Sequence, residues 1–101
     1  MTDELSHPEQ AFDKALQLLD EDQGEKGEAL LEMVISASRA ADDRVLLARA
    51  LCVLGEWLHE KGRDTDARSR LLEVLEVEVA EPDLIAYERK RARKLLHHPM
   101  A

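Results

Sequence analysis

The strongest constraint on this 101-residue chain is its punctuation: long stretches of Leu, Ala, Val, Glu, Lys and Arg are broken by only four Gly and three Pro, which cut the apolar periodicity into five pieces. Helix propensity is high within each piece, because Ala and the straight-chain residues lose little side-chain freedom in a helix. Ser6-His7-Pro8-Glu9 combines a capping Ser, a Pro allowed in the first turn and a Glu three residues after the Ser, which predicts a helix from about residue 7. Its apolar positions Ala11, Phe12, Ala15, Leu16, Leu18 and Leu19 recur at spacings of three and four until Asp20 to Gly24 ends the pattern. Gly24 and Gly27 are read as flanking a short turn. Ala29, Leu30, Met33, Val34, Ile35 and Ala37 then predict a second helix over about 26–40, stopped at Asp42-Asp43, where a new N-cap is available.

The third predicted helix, over about 44–61, is the most hydrophobic, with Val45, Leu46, Leu47, Leu51, Val53, Leu54, Trp57 and Leu58. Apolar residues on most of its circumference make it the expected central element. Gly62 stands where a left-handed C-cap is wanted, and Asp64-Thr65-Asp66 supplies the start of a fourth helix carrying Ala67, Leu71, Leu72, Val74 and Leu75 and reaching towards Val77 and Val79. Pro82 is read as the first residue of a fifth helix with Leu84, Ile85, Tyr87, Ala92, Leu95 and Leu96 facing inward, and Pro99 forbids its continuation. Short loops between such helices predict antiparallel neighbours.

Composition limits what such a chain does. A core is affordable, since 45% of residues are hydrophobic although 36% are charged, and one domain fits the length. The 22 acidic residues against 14 basic ones give a net charge of −8, which disfavours nucleic acid and anionic membranes and favours a basic protein partner. A single Cys excludes an internal disulfide framework and points to a reducing, cytoplasmic setting. No signal peptide is expected at the acidic Met1 to Glu4, and no apolar run reaches the roughly 18 residues of a membrane span.

Leu51, Leu54-Gly55, Leu58, Gly62, Ala67, Leu71 and Val74 follow the spacing of a tetratricopeptide repeat, which residues 48–81 resemble. Gly55 and Ala67 are the small residues that let two helix backbones approach. Val74 is larger than the family's usual Ala, and Val79 stands where its closing Pro is often found. The first two helices echo the pattern more weakly: Gly24 and Ala29 are spaced like Gly62 and Ala67, Gln17 replaces the Gly, Asp13 replaces the first large residue, and the offset is 38 residues. The resemblance implies an all-α fold of about five antiparallel helices stacked as a short right-handed superhelix. A flexible N-terminus over 1–6 would precede a single domain over 7–98, divided into hairpins 7–41 and 44–80 and a capping helix 82–98.

The resemblance also implies that a peptide or helix of another protein lies in the inner groove. Carried onto this sequence, the groove stripe is Arg49, Cys52, Glu56 and His59 on the third helix, Lys14 on the first, and Lys90 and Arg93 on the fifth. A solvated helix face explains the same polar residues, and Cys52 reads equally as a small packing residue. Residues 87–101 carry five cations, Arg89, Lys90, Arg91, Arg93 and Lys94, against Glu88 alone, so the tail is +4 and the remainder −12. That polarity suits an acidic partner or a second copy of the chain, or reflects the dipole at the end of the last helix. No catalytic residue, metal ligand set or cofactor motif is recognised: the four His lack an i, i+4 pair, and Gly24 to Gly27 lacks a phosphate-loop Lys. Two functions follow, an adaptor or chaperone-like binder using the groove, or a small acidic assembly or inhibitory subunit using its outer surface or basic last helix.

Overall fold

A computed structural model of the chain describes residues 7–97, so the segment 1–6 with its Ser6 cap, His98 and the Pro99 stop lie outside the described residues. The described part is all-α: α1 (Pro8–Asp20), α2 (Gly24–Ala41), α3 (Arg44–Glu60), α4 (Asp64–Glu76), a 3-10 turn (Pro82–Ile85) and α5 (Ala86–His97). No strand occurs among the described residues.

One turn, used three times, joins the first four helices. Asp22, Asp42 and Gly62 each adopt left-handed backbone, with φ of 62°, 56° and 75°. The following N–H then donates to the carbonyl five residues back, Gln23 to Leu18 at 2.8 Å, Asp43 to Ser38 at 2.9 Å and Arg63 to Leu58 at 3.0 Å. This is the Schellman arrangement, which satisfies the last carbonyls of the preceding helix. The next helix starts two residues after each left-handed one, and at Asp43 the carboxylate caps the Leu46 N–H at 3.1 Å, as its sequence position predicts.

The three turns are twenty residues apart, so the helices share one register. Leu31, Leu51 and Leu71 occupy the same position in successive helices and are fully buried, as are Val34, Leu54 and Val74 three residues on. Each buried side chain of this size contributes about 1.5–3 kcal/mol. The hairpins therefore match at an offset of forty residues rather than 38. Gly24 is not the counterpart of Gly62; it is the first residue of α2, and Asp22 takes the left-handed place. Gly27 is also inside α2, where it is the counterpart of Ala67, and a Cβ there would lie 2.7 Å from Leu19 Cδ2.

Packing follows chain order, with α1 on α2, α2 on α3, α3 on α4 and α4 on α5, and with α5 also lying against α3. Three ion pairs tie α2 to α4 or its N-cap: Glu28–Arg63 at 2.9 Å, Glu32–Arg70 at 2.7 Å, and Arg39–Glu73. Their residue numbers rise together, so α2 and α4 run side by side in one direction. Glu56 with Arg91 and Cys52 with Glu88 link α3 to α5 in the same sense. The result is a slab of 43 × 35 × 18 Å centred on α3, whose buried residues run from Leu46 to Leu58 around most of its circumference.

Beyond α4 the chain departs from the expected helix. Val77 is extended (φ −69°, ψ 125°) and buried, which ends α4 at Glu76 and lays residues 77–81 across the end of the stack. Pro82 opens a 3-10 turn instead of α5 itself. The tighter winding turns only Ile85 into the core, and Leu84 and Tyr87, expected inward, are 50% and 67% exposed.

Two glycines separate backbone strain from steric fit. No atom lies within 4 Å of a Cβ built on Gly62, so Gly62→Ala should lower unfolding stability by about 1–2 kcal/mol through the left-handed backbone alone. A Cβ on Gly55 would lie 2.7 Å from Leu71 Cδ2, so Gly55→Ala should cost about 1–3 kcal/mol by overpacking and be partly relieved by Leu71→Val. Urea unfolding followed by circular dichroism reads both, and a neutral Gly62→Ala would contradict the turn described.

Candidate functional site

The seven residues expected to line a groove lie on α1, α3 and α5, and α5 divides them. On α3, Arg49 is exposed but Cys52 is only 3% exposed beneath α5, where its thiol faces the Glu88 carbonyl at 3.9 Å. Glu56, one turn further, accepts both arms of Arg91, from Nε at 3.2 Å and Nη2 at 2.8 Å. A forked guanidinium–carboxylate pair fixes orientation as well as distance, so Glu56 serves to seat α5. His59 is half-buried, with a buried Nδ1 that has no hydrogen-bond partner among the described residues.

What stays exposed is cationic. Arg49 on α3, Lys90 and Arg93 on α5 and Lys14 on α1 are all exposed, and Lys14 is not a free cation, having an interaction of its own. The basic last helix also divides. Arg89 donates through Nη2 to the Val77 carbonyl at 2.7 Å, and Arg91 is held by Glu56, so both tie α5 to its neighbours. Lys90, Arg93 and Lys94 are exposed beside Tyr87 and have no partner among the described residues. Sequence spacing carried this signal: Arg89 and Arg91 stand three and four residues before the buried Ala92 and Leu95, on the inward side of the helix.

Two open clefts flank Arg44, whose guanidinium binds Asp42 Oδ1 and the Glu78 carbonyl, each at 3.0 Å. One, of about 340 Å³, is lined by Ser38, Arg39, Leu47, Glu73 and Glu76 among others. The other, of about 610 Å³, lies among Asp42, Asp43, Val45, Val79, Glu81 and Leu84. Among the described residues no three His, Cys, Asp or Glu side chains converge as metal ligands, and no helix is long and apolar enough to cross a membrane.

The one thiol is a packing group in this setting. Burial, reinforced by Glu88 and Glu56, pushes Cys52 up to about 12 from 9.0. The folded chain therefore keeps a proton that the unfolded chain releases, and the stability that Cys52 contributes is full below pH 9 and lost as pH rises towards 12. Urea unfolding between pH 8 and 11 should show wild type losing more stability than Cys52→Ala. The native thiol should also react with an aromatic disulfide reagent only as fast as the chain opens, and a burst of modification at pH 8 without denaturant would contradict the burial.

No family model matches the chain, nor does any curated protein or solved structure.

Proposed function

We propose that this chain is a protein–protein interaction module, an adaptor or chaperone-like binder, which holds an acidic peptide or helix of a partner against the face formed by α3 and α5. The observation that carries the reading is the exposed Arg49, Lys90, Arg93 and Lys94 with Tyr87 in a chain of net charge −8. Cations that pair with nothing among the described residues are available to a partner, and they give attraction where the rest of the surface repels acidic segments.

Two observations support a short right-handed stack of tetratricopeptide type as the framework: α5 lies against α3 while ion pairs join α2 to α4, and Gly55 brings α4 close to α3. The forty-residue spacing between Asp22 and Gly62 is longer than that family's repeat of about 34. The residues that the family would place in an open groove act differently here, since Cys52 and Glu56 hold α5 in place. A cytoplasmic location suits a chain whose one cysteine is buried and in no disulfide. The second reading, a small acidic assembly or inhibitory subunit, is favoured by the outward position of Lys90, Arg93 and Lys94 on the last helix, where a folded partner has access.

Affinity capture on immobilised chain, read by mass spectrometry, tests the face directly. Partners recovered on wild type should fall about tenfold or more on the Arg49→Glu, Lys90→Glu chain and persist on Arg68→Glu, an exposed cation of α4. Equal recovery on all three would remove the α3–α5 face as the binding surface.

A further inference from the structure

Along the edge of the slab that leads into α5 the surface charge changes sign. At the lower end, the cleft between the start of α3 and residues 78–84 gathers Asp42, Asp43, Glu78 and Glu81 around Val45 and Leu84. With the exposed Asp83 beside Leu84, five carboxylates stand against one guanidinium, Arg44, and leave this end at −4, and Arg44 is already engaged by Asp42 and the Glu78 carbonyl. Further along α5, Lys90, Arg93 and Lys94 supply +3 and pair with nothing among the described residues. Between the two ends stand Leu84 and Tyr87, three residues apart and both largely exposed. They are two of the four large apolar side chains that the described residues leave exposed, the others being Met33 and Leu72.

A surface that is acidic at one end, apolar in the middle and basic at the other is complementary to itself after a two-fold rotation. We infer that the chain pairs with a second copy across this surface, with Leu84 and Tyr87 near the axis and the Lys90, Arg93 and Lys94 side of each copy against the Asp42, Asp43, Glu78 and Glu81 side of the other. Charge selects this orientation. Two chains of −8 repel through most of their surfaces, and the outward face of α5 is where one copy offers the other unpaired cations. The apolar pair then removes its area from water at the centre, ringed by the charges. The inference rests on the outward face of α5 being an interaction surface, as in the proposed function, and it commits that face to a second copy. A partner segment would have to displace this copy.

Sedimentation equilibrium at 100 mM salt over about 1–200 μM chain tests the pairing. Wild type should show a monomer–dimer equilibrium that weakens at 500 mM salt, where the Debye length falls from about 10 Å to a few ångströms. Lys90→Glu with Lys94→Glu, and separately Glu78→Lys with Glu81→Lys, should each raise the dissociation constant at least tenfold while keeping the helical circular-dichroism spectrum of wild type. An equimolar mixture of the two variants should recover the dimer, because the two reversed ends then face each other and the two unchanged ends do the same. Monomeric wild type throughout the range, or a dimer that neither variant weakens, or two folded variants that do not recover pairing when mixed, would each overturn the inference. Should a charge variant fail to fold, Tyr87→Ser replaces it and should also shift the equilibrium to monomer. A fluorescent poly-glutamate peptide added to wild type separates this inference from the proposed function: peptide binding by a monomer sinks the pairing alone, and absence of both sinks the two together.

Discussion

The left-handed residue at the end of each of the first three helices is the constraint on which the rest of this structure depends. Once Asp22, Asp42 and Gly62 take positive φ, the chain reverses in two residues, the last carbonyls are satisfied and the next helix begins in a fixed phase. That phase brings Leu31, Leu51 and Leu71 into equivalent buried positions, with Val34, Leu54 and Val74 beside them. The core is thus assembled by turn geometry first and filled by side chains second. Small residues complete it, since Gly27 and Gly55 stand where a methyl group would meet Leu19 and Leu71.

The second hairpin differs from the first in what it must hold. Residues 77–81 leave the helical register, and α5 is recovered for the stack by polar ties: Arg89 on the Val77 carbonyl and Arg91 on Glu56. Half-buried charged pairs of this sort contribute modestly to stability but are costly to break on one side only, so they specify where a helix sits more than how tightly. Inward Arg89 and Arg91 thereby hold the helix in place, while Lys90, Arg93 and Lys94 on its outer side are left exposed.

Much of this was legible in the sequence. The boundaries of α3 and the cap role of Asp43 follow from local chemistry, and Gly62 announces its own backbone. The first turn is hidden in the sequence because its left-handed residue is an Asp with a conspicuous Gly two places later, and a glycine draws the assignment that belongs to the αL-tolerant Asp. With Asp22 overlooked, the twenty-residue spacing and the alignment of Gly27 with Ala67 could not emerge. Helical periodicity continued through Pro82 turns Leu84 and Tyr87 inward, whereas the 3-10 turn there shifts the phase and leaves both exposed. The division of the tail cations needed tertiary structure, since only the position of α3 and of residue 77 reveals which arginines have something to hold.

The equal spacing of the turns makes the chain modular in a way that its charges conceal. A segment such as 24–63 begins just after one left-handed turn and ends just after another, with a complete helix of each orientation inside it. Lengthening or shortening the array by forty residues at those cuts keeps every buried leucine in phase, a change of twenty exchanges the two rows, and any other length throws the core out of step. The molecule counts in helices, and its natural quantum of growth is the pair.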